Sequence, residues 1–83
     1  MNTEIEIRKL WEIARDIQAT WHRVYFGAKP YLDAMHGLSD IDDSYGFDDA
    51  RSIARYFLAN AGSWRGEDAR RIKAELKAML GDK

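Results

Sequence analysis

Apolar residues recur at helical spacing along almost the whole chain. Leu10, Ala14, Ile17, Trp21, Val24 and Ala28 follow at steps of four, three, four, three and four, the stripe of one buried helix face. Ile7, Trp11 and Ile13 widen it. Thr3 and Glu6 stand at the spacing of a capping box, so a first helix is predicted from about Thr3 to Val24–Gly27. Pro30 suits the first turn of a second, short helix, about Pro30 to His36, which Gly37 ends. A rival reading joins the two into one helix kinked before Pro30.

Leu38 to Phe47 reads as a loop of Asp, Ser and Gly turn formers, and Asp48 as the N-cap of the next helix. That helix carries the stripe Ala50, Ile53, Ala54, Phe57, Leu58 and Ala61 and stops at Gly62. Ser63 and Gly66 compete to begin the last helix, with the stripe Ala69, Ile72, Leu76, Met79 and Leu80 and an i,i+4 pair Glu67–Arg71 outside. Nothing alternates with period two for long enough to make a strand. The expectation is an all-α fold: a compact bundle of three long helices plus one short helix, with an acidic loop between the second and third. Leu10, Ala14, Ile17, Trp21, Ile53, Phe57, Leu58, Ile72, Leu76 and Met79 form the predicted core.

Composition narrows this picture more than it extends it. Eighty-three residues make one domain, 1–83, and read as a complete small protein. A chain this short buries only about 60–65% of the surface that its unfolded form exposes. Without cysteine it has neither disulfides nor a thiolate metal site. A net charge of −1 gives no global attraction to polyanions, so any charge argument is local. The acidic, amphipathic start is no signal peptide, and no apolar run approaches the roughly 20 residues that span a bilayer. A cytoplasmic protein without membrane contact is expected.

Candidate catalytic chemistry is sparse. Ser39, Ser44, Ser52 and Ser63 lack the frame of an activated nucleophile. Asp33 and His36 share a helical face, but two ligands do not make a zinc site. Scattered glycines form no phosphate-binding loop. Asp40, Asp42, Ser44 and Asp48 alternate like calcium ligands, yet Tyr45 stands where that loop needs Gly and Arg51 where it needs Glu. The chain is therefore expected not to be an enzyme, and to need neither metal nor cofactor.

Binding surfaces are easier to find. Asp40, Asp42 and Asp43 precede the third helix without an evident capping duty and could meet a basic partner, leaving folding indifferent to their replacement by Asn. Ten aromatic residues are more than short helices easily hide. Tyr56, Trp64 and Arg65 have the Trp, Tyr and Arg chemistry of interface hot spots. Such a load of rings leaves a homodimer open. The last helix offers the alternative of nucleic-acid binding through Arg65, Arg70, Arg71, Lys73 and Lys77, although Glu67 and Asp68 occupy its first turn, where a recognition helix meets phosphate.

The segment Trp-His-Arg-Val-Tyr-Phe-Gly-Ala-Lys-Pro-Tyr-Leu-Asp-Ala-Met at 21–35, the tetrapeptide Tyr45-Gly46-Phe47-Asp48 and the run from Arg55 to Lys73 resemble small uncharacterised helical proteins encoded by phages and mobile elements of gut-type bacteria. The resemblance spans about residues 5–80 and carries no catalytic motif. It implies an accessory protein that acts by occupying a macromolecular partner, such as a component of host defence. A protein-binding accessory is thus the leading expectation, and a nucleic-acid-binding regulator the alternative.

Overall fold

The computed structural model describes residues 7–46 and 48–81, with the backbone alone at Tyr45. The chain is mostly helical: α1 Leu10–Thr20, α2 Lys29–Met35, α3 Ala50–Ala59 and α4 Glu67–Leu80, of 11, 7, 10 and 14 residues. The expected Thr3–Glu6 capping box lies outside the described residues. At the start of α1 it is the Lys9 amide that donates to Glu12 Oε1 at 2.8 Å, half of the same device six residues later.

Three boundaries differ from the sequence expectation, the first being that α1 starts at Leu10 and not near Thr3, since residues 7–9 are not helical. The first helix ends at Thr20, not near Gly27, and α2 is separate from it, so there is no single kinked helix. The Thr20 hydroxyl donates back to the carbonyls of Asp16 and Ile17 at 2.8 and 3.3 Å, and the Trp21 amide reaches Ile17 O. The Trp21 bond is still helical, but Trp21 itself takes extended backbone, φ −110° and ψ 90°, and there the helix stops. The stripe misled because Trp21 and Ala28 are core residues although the backbone between them is not helical. The third helix is capped by Asp49 and not Asp48: the Asp49 carboxylate accepts from the Ser52 amide at 2.7 Å. Asp48 instead faces Tyr45 in a two-residue antiparallel bridge, β1 Ser44–Tyr45 with β2 Asp48–Asp49, turned at Gly46, where φ is +63°.

Gly66, at φ +111°, begins α4, and Gly81, at φ +76°, closes it in the left-handed conformation that terminates helices. The expected Glu67–Arg71 pair is replaced, because Arg71 turns to Asp68 and to Asp16 of α1, each at 3.0 Å. Arg8 extends this to a network, with Asp16 at 3.0 Å and Glu75 at 2.6 Å, which straps α4 to α1.

The core gathers Leu10, Ile13, Ala14 and Ile17 of α1, Leu32 and Met35 of α2, Ile53 and Phe57 of α3, and Ile72 and Leu76 of α4. Leu58 and Met79, expected inside, are half-buried at its margin. Its aromatic centre is Trp21, Phe57 and Trp64. The two indoles stack at 5.2 Å with planes 6° apart, and Phe57 meets each edge-on at 6.1 and 6.4 Å. Both tryptophans come just after a helix ends, so the rings close the connections as well as filling the interior.

Candidate interaction surface

The structure disperses the expected partner-binding residues. Trp64 is only 4% exposed and belongs to the core, which removes it as a surface hot spot. The reason is stacking: an indole laid flat on Trp21 has no face left to offer. Arg65 is exposed beside it, and Tyr56 is 48% exposed, so those two remain at the surface.

The acidic stretch also proves structural in part. The Asp43 carboxylate accepts from the Ser39 and Asp40 amides at 3.0 and 2.9 Å, and its own carbonyl accepts from the Ala50 amide at 2.7 Å. Hydrogen bonds from the Asp40 amide and then the Ser39 amide hold the carboxyl below its ordinary pKa. The turn that Asp43 fastens presents the carbonyls of Ser39 and Leu38 to the amides of Leu10 and Trp11, at 2.8 and 3.0 Å. Those are orphan donors of the α1 N-terminus. Asp42 accepts from Arg51 Nε at 3.1 Å, and Arg51 also donates to the Leu80 carbonyl at 3.2 Å, fastening the stretch to α3 and the end of α4. Asp40 is exposed. The expectation that folding ignores all three aspartates is therefore corrected for Asp42 and Asp43. A cleft of about 270 Å³ opens here, lined by Arg8, Ile41 and Met79 among others, below the size of ordinary small-molecule sites.

Sequence reasoning missed the most exposed apolar feature. Phe26 is 79% exposed, with its ring 4.9 Å from that of Tyr25. Tyr25 lies over Gly27 so closely that a Cβ there would come within 2.5 Å of the ring and 3.0 Å of Asn60 Oδ1. A larger residue here would push the half-exposed Tyr25 ring aside. Asn60 follows Tyr56 by one turn of α3 and donates to its carbonyl at 2.8 Å, and Tyr56 pairs with Tyr31 of α2 at 5.4 Å. Tyr25 and Phe26 on the α1–α2 connection and Tyr31 with Tyr56 across α2 and α3 are thus two aromatic pairs. A readable signal existed. Phe26 falls off the stripe of Trp21, Val24 and Ala28, and residues off an apolar stripe point outward, whereas Tyr25, four residues after Trp21, falls on it and gave no such signal.

The basic residues of α4 divide. Arg71 is removed from the expected nucleic-acid set, because it faces α1 and is held by Asp16 and Asp68. Those hydrogen bonds, Arg71's first and Arg8's next, hold the Asp16 carboxyl below its ordinary pKa. Lys73 donates to the Trp64 carbonyl at 2.7 Å and lies 5.9 Å from that ring. Burial, then the charges of Lys77 and Arg65, push its pKa down. Arg65, Arg70 and Lys77 are exposed.

Of the residues weighed for metal binding, Asp33 pairs with Lys29 at 3.8 Å and His36 Nε2 lies 2.8 Å from Gln18 Oε1. Among the described residues, no three His, Asp or Glu side chains are gathered as a metal site would need, and no helix is long and apolar enough to cross a membrane. Comparison with protein-family models, curated proteins and solved structures finds no match to this chain.

Proposed function

We propose that this is a small cytoplasmic protein-binding accessory of the phage or mobile-element kind, acting by occupying a macromolecular partner. A host-defence component is the partner that such an origin favours. The observation that carries the binding reading is the ring of Phe26, 79% exposed and braced by Tyr25, with the Tyr31–Tyr56 pair as a second aromatic patch. Aromatic side chains held in place by neighbours supply contact area with little ordering cost, the character of interface anchors. The acidic residues Asp40 and Asp48, both exposed, stand at the rim of the reading and not at its centre.

The test compares the wild type with Phe26→Ser and with the double variant Tyr25→Ser, Phe26→Ser. Each is used as bait in lysate of a bacterial host, with captured proteins identified by mass spectrometry and folding checked by circular dichroism. Loss of a specific captured protein with an unchanged melt supports the reading. Equal capture by all three baits overturns the role of these rings. Sedimentation of the same proteins separates a foreign partner from a homodimer, since a dimer that Phe26→Ser dissociates assigns the rings to a second copy.

A further inference from the structure

We propose that the flank of α4 bearing Arg70, Lys73 and Lys77, with Arg65 beside it, is a binding surface for the phosphate backbone of duplex nucleic acid. The surface lies apart from the aromatic pairs and does not rest on their having a partner.

Helix geometry sorts the charges of α4 into two flanks. Asp68, Arg71 and Glu75 recur at three and four residues on the side turned to α1, where Asp16 pairs with Arg71, Arg8 with Glu75, and Arg71 with Asp68. Residues 70, 73 and 77 recur at three and four on the opposite side of the buried stripe, and all are cations. Asp68 is spent on Arg71 of the same helix and Glu75 on Arg8, just before α1, and Glu67, in the first turn, is the remaining acid of α4. Lys73 lies within the field of both Lys77 and Arg65, so the cations form one positive region. Lys73 is also held in place, by its bond to the Trp64 carbonyl. From Arg70 to Lys77 the row runs about 10 Å at 1.5 Å per residue.

What this flank lacks decides the class of partner. The large hydrophobic residues exposed among those described are Ile7, Tyr25, Phe26 and Tyr56, and none is on α4. A protein interface is anchored by buried apolar or aromatic residues at its centre, whereas phosphate contacts need only placed cations. An acidic protein is accordingly the weaker fit. Single strands bind on exposed rings on which bases stack, and the ring beneath this row, Trp64, is already covered by Trp21. Cations without a stacking platform fit a duplex, bound without sequence preference.

The experiment measures anisotropy of a fluorescent random-sequence duplex with the full chain, across a salt series. Roughly three phosphate contacts predict a log–log slope near −2.7, at about −0.9 per contact. The double variant Arg70→Gln, Lys77→Gln should bring the slope about two units closer to zero while the circular dichroism melt stays the same. Arg15→Gln, the loss of one exposed charge on α1, should leave binding unchanged. No binding at low salt, or a slope indifferent to the double variant, overturns the proposal. So does tighter binding of the single strand. Displacement of the duplex by polyglutamate at equal charge also overturns it, assigning the flank to an acidic protein.

Discussion

The carboxylate of Asp43 holds two backbone amides, so its charge is part of the turn in which it sits. Asp16, between Arg71 and Arg8, and Asp49, which accepts the Ser52 amide, are in the same position. All three carboxyls have folded-state pKa values below the ordinary one. A carboxyl lowered on folding contributes stability that is present above its unfolded pKa, about 3.9 for Asp, and lost as pH falls through the folded value. The melting temperature is therefore expected to hold near neutrality and to fall on acidification below about pH 4. Asp43→Asn should lower it at pH 7 and flatten that acid decline, because the titrating group is gone. Scanning calorimetry across the acid range of both proteins checks this. Asp40→Asn should have little effect, and Asp49→Ala should cost more than Asp48→Ala, the reverse of the order that the sequence suggests.

At the level of elements, each helix buries its stripe against the others through a centre of three rings. Phe57 is fully buried and touches both indoles, so Phe57→Ala should cost about 3–5 kcal/mol. At about 0.05–0.15 kcal/mol per residue the whole domain has about 4–12 kcal/mol. The variant should thus be strongly destabilised or unfolded at 37 °C, as read by chemical denaturation. Trp64→Ala should likewise cost stability, and any loss of partner capture should follow the loss of fold. The stripes of α1, α3 and α4 were legible because 3.6-residue periodicity is imposed by burial itself. The end of α1 was not, because Trp21 and Ala28 are buried from irregular backbone and continue the same spacing. Neither was the choice between Asp48 and Asp49 as cap, since the bridge that occupies Asp48 depends on Tyr45, three residues back. For the candidate surface, composition shows an excess of rings but not which are covered. Trp64, after a turn, could be read as a surface anchor or as core, and what settles it is packing against Trp21, 43 residues earlier, and Phe57.

The molecule as a whole separates its duties in space. The α1–α2 connection and the meeting of α2 with α3 carry aromatic rings, one flank of α4 carries unopposed cations, and the α1–α4 seam carries the paired charges. That separation predicts separable variants. Gly27→Ala should displace the Tyr25 ring, and with it the support of Phe26, because the added carbon would come within 2.5 Å of Tyr25 Cε2. Partner capture should weaken while the melt and the salt dependence of duplex binding stay as in the wild type. Asp16→Asn, which disturbs the seam alone, should lower the melting temperature less at high salt than at low, since mobile ions already screen the exposed pairs that it breaks.

One of the fold's joints also reports on itself. The amides of Leu10 and Trp11 are closed by carbonyls of Ser39 and Leu38, 29 and 27 residues further on, so no local helix fluctuation protects them. Their exchange with deuterated solvent should proceed at the rate at which the 38–43 turn lifts away from α1, not at the rate at which α1 frays. Asp43→Asn should speed exchange at both amides together and leave Ile17 and Phe57 on the slow, global timescale. Two protons near the start of the chain would then serve as the clock for a loop in its middle, and a ligand seated on that loop would slow the clock without touching the amides it reads.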